Sequence, residues 1–169
     1  MKYIILLLTL LNSILTFSQR EAGIDLSKSD YVVVKYQDVD KSGTAKSGIR
    51  FINTATGKVS KFELENNTTI QSLEHVKIDA LGIDIVVMIT EENVFKTQNS
   101  VFKLMIYNKI GDLKKEIKLD NSQVKDYIIN NKNGRIVLFV LENSTNNLLN
   151  QKQTERIFDL KTFEEILIK

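Results

Sequence analysis

Three short segments, YVVVKY at residues 31–36, IVVMIT at 85–90 and IVLFVL at 136–141, are apolar at almost every position instead of every second one. A strand with one wet face alternates apolar and polar residues, whereas a strand covered on both faces reads as a continuous apolar run. Each of these runs leads into a hairpin. The hairpins are IRFINTATGKVSKFEL (49–64), FKLMIYNKIGDLKKEIKL (102–119) and RIFDLKTFEEILIK (156–169). The turn glycines of the first two, Gly57 and Gly111, lie 54 residues apart, and Phe163 stands 52 further on where a third glycine would fall. Gly82 and Gly134, also 52 apart, each close a turn just ahead of an apolar run. The chain therefore repeats with a period of about 52 residues, a length that fits one four-stranded supersecondary unit.

The rest of the chain from Gln19 onward supports strands throughout. Segments rich in Val, Ile, Phe and Tyr alternate with clusters of Gly, Asn, Asp and Ser. The candidate strands are 31–37, 48–53, 59–64, 75–79, 84–90, 101–107, 113–119, 126–129, 135–141, 155–158 and 164–168. Residues 24–26 could supply the opening strand that the first unit otherwise lacks. The expected fold is all-β: an antiparallel meander of about 11 strands in three four-stranded repeats. A β-sandwich or an up-and-down barrel is the alternative arrangement of such strands. The left-handed turn position needs glycine at 57 and 111, so Phe163 implies a turn with no left-handed residue there, or a terminal unit under different constraints.

The turn between third and fourth strands reads Tyr107-Asn108 … Gly111-Asp112-Leu113, with Ile52-Asn53 … Gly57-Lys58-Val59 and Phe158-Asp159-Leu160-Lys161-Thr162 as its counterparts. In this pattern the units resemble β-propeller blades over residues 30–169. The resemblance implies sheets stacked face to face, which would cover central strands on both sides. It departs from the pattern in number, because propellers have 4–8 blades and this chain has three units. Either two chains complete a ring, or an open stack presents its outer faces to partners.

The chain opens MKYIILLLTLLNSILTFSQR. Lys2, an apolar run to Phe17 and small residues at Thr16 and Ser18 form the layout of a secretory signal peptide over 1–18, with a cut before Gln19. A retained membrane anchor would need about 20 apolar residues. The remaining residues, 19–169, are then a single domain, exported to the periplasm or the exterior. Removing one Lys and no acid lowers the net charge from +2 to +1, which offers no field to attract nucleic acid or anionic lipid. No cysteine is present, so no disulfide contributes and stability rests on the core.

Candidate chemistry is sparse. Asp38, Asp40, Ser42 and Gly43 match the start of a calcium loop, but Lys46 and Ile49 occupy positions nine and twelve, where oxygen ligands are needed. A solvated turn fits better. An acid recurs at the exit of each apolar strand: Asp38, then Glu91 with Glu92, then Glu142. Stacked units would bring these carboxylates to one edge, together with the loops 38–47, 91–100 and 143–153 and their apolar residues Phe95 and Leu148. This edge, comprising Asp38, Asp40, Glu91, Glu92, Phe95, Glu142 and Leu148, is the candidate binding surface. Charged strand ends also simply deter edge pairing. The single histidine, His75, lies in no metal or triad motif, and no phosphate loop, zinc helix or nucleophile elbow occurs. No metal or cofactor is implied. The expected function is a non-catalytic binding or structural module of the cell envelope, with a second copy or an envelope protein as partner. A hydrolase or lyase of glycans, built on the strand-end carboxylates, is the alternative.

Overall fold

The computed structural model describes residues 23–26, 28–39, 45–65, 68–94, 99–120, 122–142 and 152–167. These form three antiparallel four-stranded sheets, each a simple meander, and none closes into a barrel. The first sheet holds β1 (Gly23–Asp25), β2 (Tyr31–Val39), β3 (Ala45–Asn53) and β4 (Val59–Glu63). The middle sheet holds β5 (Thr68–Ile78), β6 (Ile83–Val94), β7 (Asn99–Asn108) and β8 (Leu113–Leu119). The third holds β9 (Ser122–Asn130), β10 (Arg135–Glu142), β11 (Lys152–Asp159) and β12 (Glu165–Ile166). The all-β fold in three four-stranded units is thus as the sequence implies, including a short opening strand at Gly23–Asp25.

Two cores hold the sheets together. Val33, Ile49 and Phe51 of the first sheet pack on Val86, Met88, Met105 and Tyr107 of the middle one. The opposite face of the middle sheet, through Ile85, Val87, Leu104 and Ile106, packs on Ile136, Leu138, Val140 and Phe158 of the third. β6 is therefore buried on both faces, which accounts for its unbroken apolar run. β2 and β10 depart from that expectation. In β10 Ile136, Leu138 and Val140 are buried while Val137, Phe139 and Leu141 remain partly exposed. Each of these sheets stands at an end of the stack and has one neighbour, so the second apolar face of its central strand is left half-covered.

The repeated turn is built on an Asx side chain in all three units and is one residue shorter in the middle one. Asn53 Oδ1 accepts from the N–H groups of Ala55 and Thr56, Asn108 Oδ1 from Ile110 and Asp112, and Asp159 Oδ1 from Lys161 and Thr162. The N–H groups of Gly57, Gly111 and Phe163 then close back onto the carbonyl of the same Asx residue at 2.7, 3.1 and 2.8 Å. Phe163 does adopt the left-handed conformation, with φ 61° beside 71° at Gly57 and 96° at Gly111, which corrects the expectation of a different turn. It packs against the core between the middle and third sheets, and that burial offsets a backbone strain of about 1–2 kcal/mol.

The strands run further than their apolar content suggests. β5 begins at Thr68, through a polar segment that bulges between Ile70 and Ser72, where the sequence pattern implies a start at 75. β2 and β3 pair out to Val39 and Ala45, and β6 and β7 out to Val94 and Asn99. Asp38, Glu91 and Glu92 accordingly lie in paired strands, not in the long loops expected at 38–47 and 91–100. Backbone pairing across the sheet, more than side-chain burial, carries these ends.

Candidate functional site

β2, β6 and β10 end at the same edge of their sheets, and their terminal acids alternate between faces because successive strand residues do. Asp38 lies on the outer face of the first sheet. Its carboxylate takes Arg50 at 2.8 Å and Lys61 at 3.5 Å, in a network that continues to Glu63 and Lys46. The Lys46 ammonium, donating to Glu63, holds that carboxyl below its usual range. Arg50 and Lys61 both lie over the Tyr36 ring, 4.4 Å from its centroid, and Tyr36 in turn lies across Gly48. A Cβ at position 48 would run into the Phe62 carbonyl and stand 2.8 Å from the Tyr36 hydroxyl, so glycine is what lets the ring lie flat. With Arg50 on its carboxylate, Asp38 is engaged in an ion pair, and Ile49 in the supposed twelfth position of a calcium loop is fully buried.

Glu92 and Glu91 point to opposite faces of the middle sheet. Glu92 faces the first sheet and shares Lys103 with Glu65 and Glu116, at 3.7, 3.7 and 3.8 Å. The Lys103 side chain is only 13 % exposed. On the same face the hydroxyls of Thr68 and Thr90 are buried and have no partner among the described residues. Glu91 faces the third sheet and accepts from Gln71 Nε2 at 2.6 Å. Glu142, the last residue of β10, takes the Thr154 hydroxyl at 3.2 Å and shares the face of Leu138 and Val140, toward the middle sheet. Glu91 and Glu142 thus face one inter-sheet gap from its two sides. Asp40, Phe95 and Leu148 lie outside the described residues. Among the described residues no three His, Asp or Glu side chains group so as to hold a metal ion.

Other polar contacts, not apparent from motifs, join the sheets. The Ser72 hydroxyl donates to Tyr127 Oη at 2.9 Å, and the Tyr127 hydroxyl donates to Glu74 at 2.9 Å, linking β5 to β9. Burial raises the Tyr127 phenol above its ordinary value. His75 Nε2 lies 2.8 Å from Asp84 on the neighbouring strand, with its ring almost wholly buried, so the lone histidine is a cross-strand partner. Arg156 forms a two-pronged pair with Glu165 at 2.7 and 2.6 Å, holding β12 onto β11 and lowering the Glu165 pKa. Only the register of the repeat could have signalled Lys103 or Tyr127, since neither sits in a motif. A shallow recess at the opposite, turn end is lined by Lys28, Ser29, Asp30, Tyr31 and Lys109.

Among the described residues no helix is long and apolar enough to cross a membrane. The chain matches no protein-family model, no curated protein and no solved structure.

Proposed function

We propose that the protein is an exported, non-catalytic module of the cell envelope, periplasmic or extracellular, built from three propeller-blade-like units and acting by binding or by structural assembly. The observation that carries this reading is the pair of half-covered outer faces. Val137, Phe139 and Leu141 on the third sheet, and Val32, Val34 and Ile52 on the first, are partly exposed apolar residues on central strands. Apolar patches of this kind mark sites of association. A second copy or another envelope protein is the expected partner. Of the strand-end acids, Asp38 stands on an outer face, at the rim of that surface, whereas Glu92 and Glu142 face the gaps between sheets.

The second reading, a carboxylate-based hydrolase or lyase of glycans, draws on Glu91 and Glu142 facing the same gap. Such chemistry needs two carboxyls about 5–10 Å apart with separated pKa values. Assay of the purified protein on ester, glycoside and peptide substrates tests both. The binding reading expects no turnover. Turnover that is lost in Glu91→Gln or Glu142→Gln would overturn it in favour of the enzyme.

A further inference from the structure

The geometry points to a second copy of this chain as the occupant of both outer faces, docked head to tail, so that the third sheet of each copy packs on the first sheet of the other. This deepens the binding reading above and rests on it. The register of the strands makes the two outer faces complementary. Counting back from the turn residues Asn53, Asn108 and Asp159, the residue two before is Phe51, Ile106 or Ile157, and the residue one before is Ile52, Tyr107 or Phe158. Within the chain the first kind always meets the second kind on the next sheet. Phe51 lies 5.7 Å, ring to ring, from Tyr107, and Ile106 shares a core with Phe158. Two residues are left over, Ile157 on the outer face of the third sheet and Ile52 on the outer face of the first, and they are the two kinds that meet.

The next step along the strands agrees. Four before the turn residue stand Ile49, Leu104 and Glu155; three before stand Arg50, Met105 and Arg156. The first internal junction matches Ile49 with Met105 in one core, and by the same register the second sets Leu104 against Arg156. The junction between copies would match Glu155 with Arg50, opposite charges in the corresponding strands β11 and β3. Glu155 is exposed, and Asp126 stands in its row on the third sheet on the other side of Phe139, whereas Arg50 and Lys61, which share Asp38 within their own sheet, form the corresponding row of the first beside Val34. The row of Ile157 therefore faces the row of Ile52, and a row that carries two acids faces one that carries two bases. Two like faces brought together, third on third or first on first, would set acid against acid or base against base, which is unfavourable. Two copies bring together six sheets, within the four to eight that close a ring of such units, whereas three copies would bring nine, so the head-to-tail contact closes as a pair of two chains.

The chain has no cysteine, so introduced thiols report only on their own positions. Val59 on β4, 51 % exposed, and Ile166 on β12 occupy the outermost strands of the two faces and tolerate substitution without disturbing the core. In the double variant Val59→Cys with Ile166→Cys, a bismaleimide spanning about 10 Å, the spacing of face-packed sheets, is expected to yield a covalent dimer on a denaturing gel. Neither single variant should cross-link. Adding Glu155→Arg, an exposed change that leaves folding intact by circular dichroism, should weaken pairing about tenfold or more and diminish the dimer band accordingly. Three results would each overturn the proposal: no cross-link in the double variant, cross-linking of either single variant, or a ladder of higher species in place of a dimer. Any of them leaves the non-catalytic reading standing, which the substrate assays decide separately.

Discussion

Gly111 is constrained twice. Its φ of 96° lies where side chains are strained, and a Cβ there would stand 2.8 Å from the Phe51 ring of the neighbouring sheet. Gly82 has a comparable φ of 67° but open space around it. Gly82→Ala should therefore cost about 1–2 kcal/mol of unfolding free energy from the backbone alone. Gly111→Ala should exceed it by about 1–3 kcal/mol, the usual penalty of overpacking. Urea unfolding of the two variants side by side checks the difference. Asp159 yields a prediction with a definite sign. The Thr162 and Lys161 N–H groups depress its pKa, so its charge stabilises the fold above the unfolded carboxyl's value of about 4, and that contribution fades as pH falls through the lower folded value. Asn53 makes the same two bonds without charge. Asp159→Asn should thus be less stable than the natural protein near neutrality, with the gap narrowing below about pH 4. Thermal unfolding over that range measures it. At this scale the sequence was half legible: the turn glycines located the first two turns and the 52-residue interval placed the third at Phe163, but nothing in Phe163 itself announces a left-handed backbone, because core packing imposes it.

Among the elements, β6 and β10 show what an apolar run does and does not reveal. Both runs read alike, yet β6 lies between two sheets and β10 has one neighbour, and only the stacking order distinguishes them. The polar half of β5 was illegible for the opposite reason, since ladder hydrogen bonds and a bulge hold Thr68–Glu74 without apolar alternation. The strand-end acids were legible as a recurring position, but not their facing, which depends on where each strand stops. The Ser72–Tyr127–Glu74 chain is the polar tie between the middle and third sheets. Tyr127→Phe removes the donor to a carboxylate and the acceptor of a hydroxyl, and should destabilise the protein by about 1–2 kcal/mol. Hydrogen exchange should show the loss concentrated in β9, while the first sheet keeps its protection. Uniform loss across all three sheets would mean that the chain unfolds as one unit from that point.

For the whole molecule the decisive feature is that three sheets leave two ends. The ends are different surfaces with matched register, apolar against apolar and Glu155 against Arg50, and they account for the apolar β2 and β10 runs that one chain covers on one side only. On this reading these ends bind a second copy of the chain. Sedimentation equilibrium on the purified protein at micromolar concentration tests it most directly. The expected mass is that of two chains, falling toward one in Glu155→Arg. A single-chain mass for the natural protein, unchanged as concentration rises to hundreds of micromolar, would contradict it.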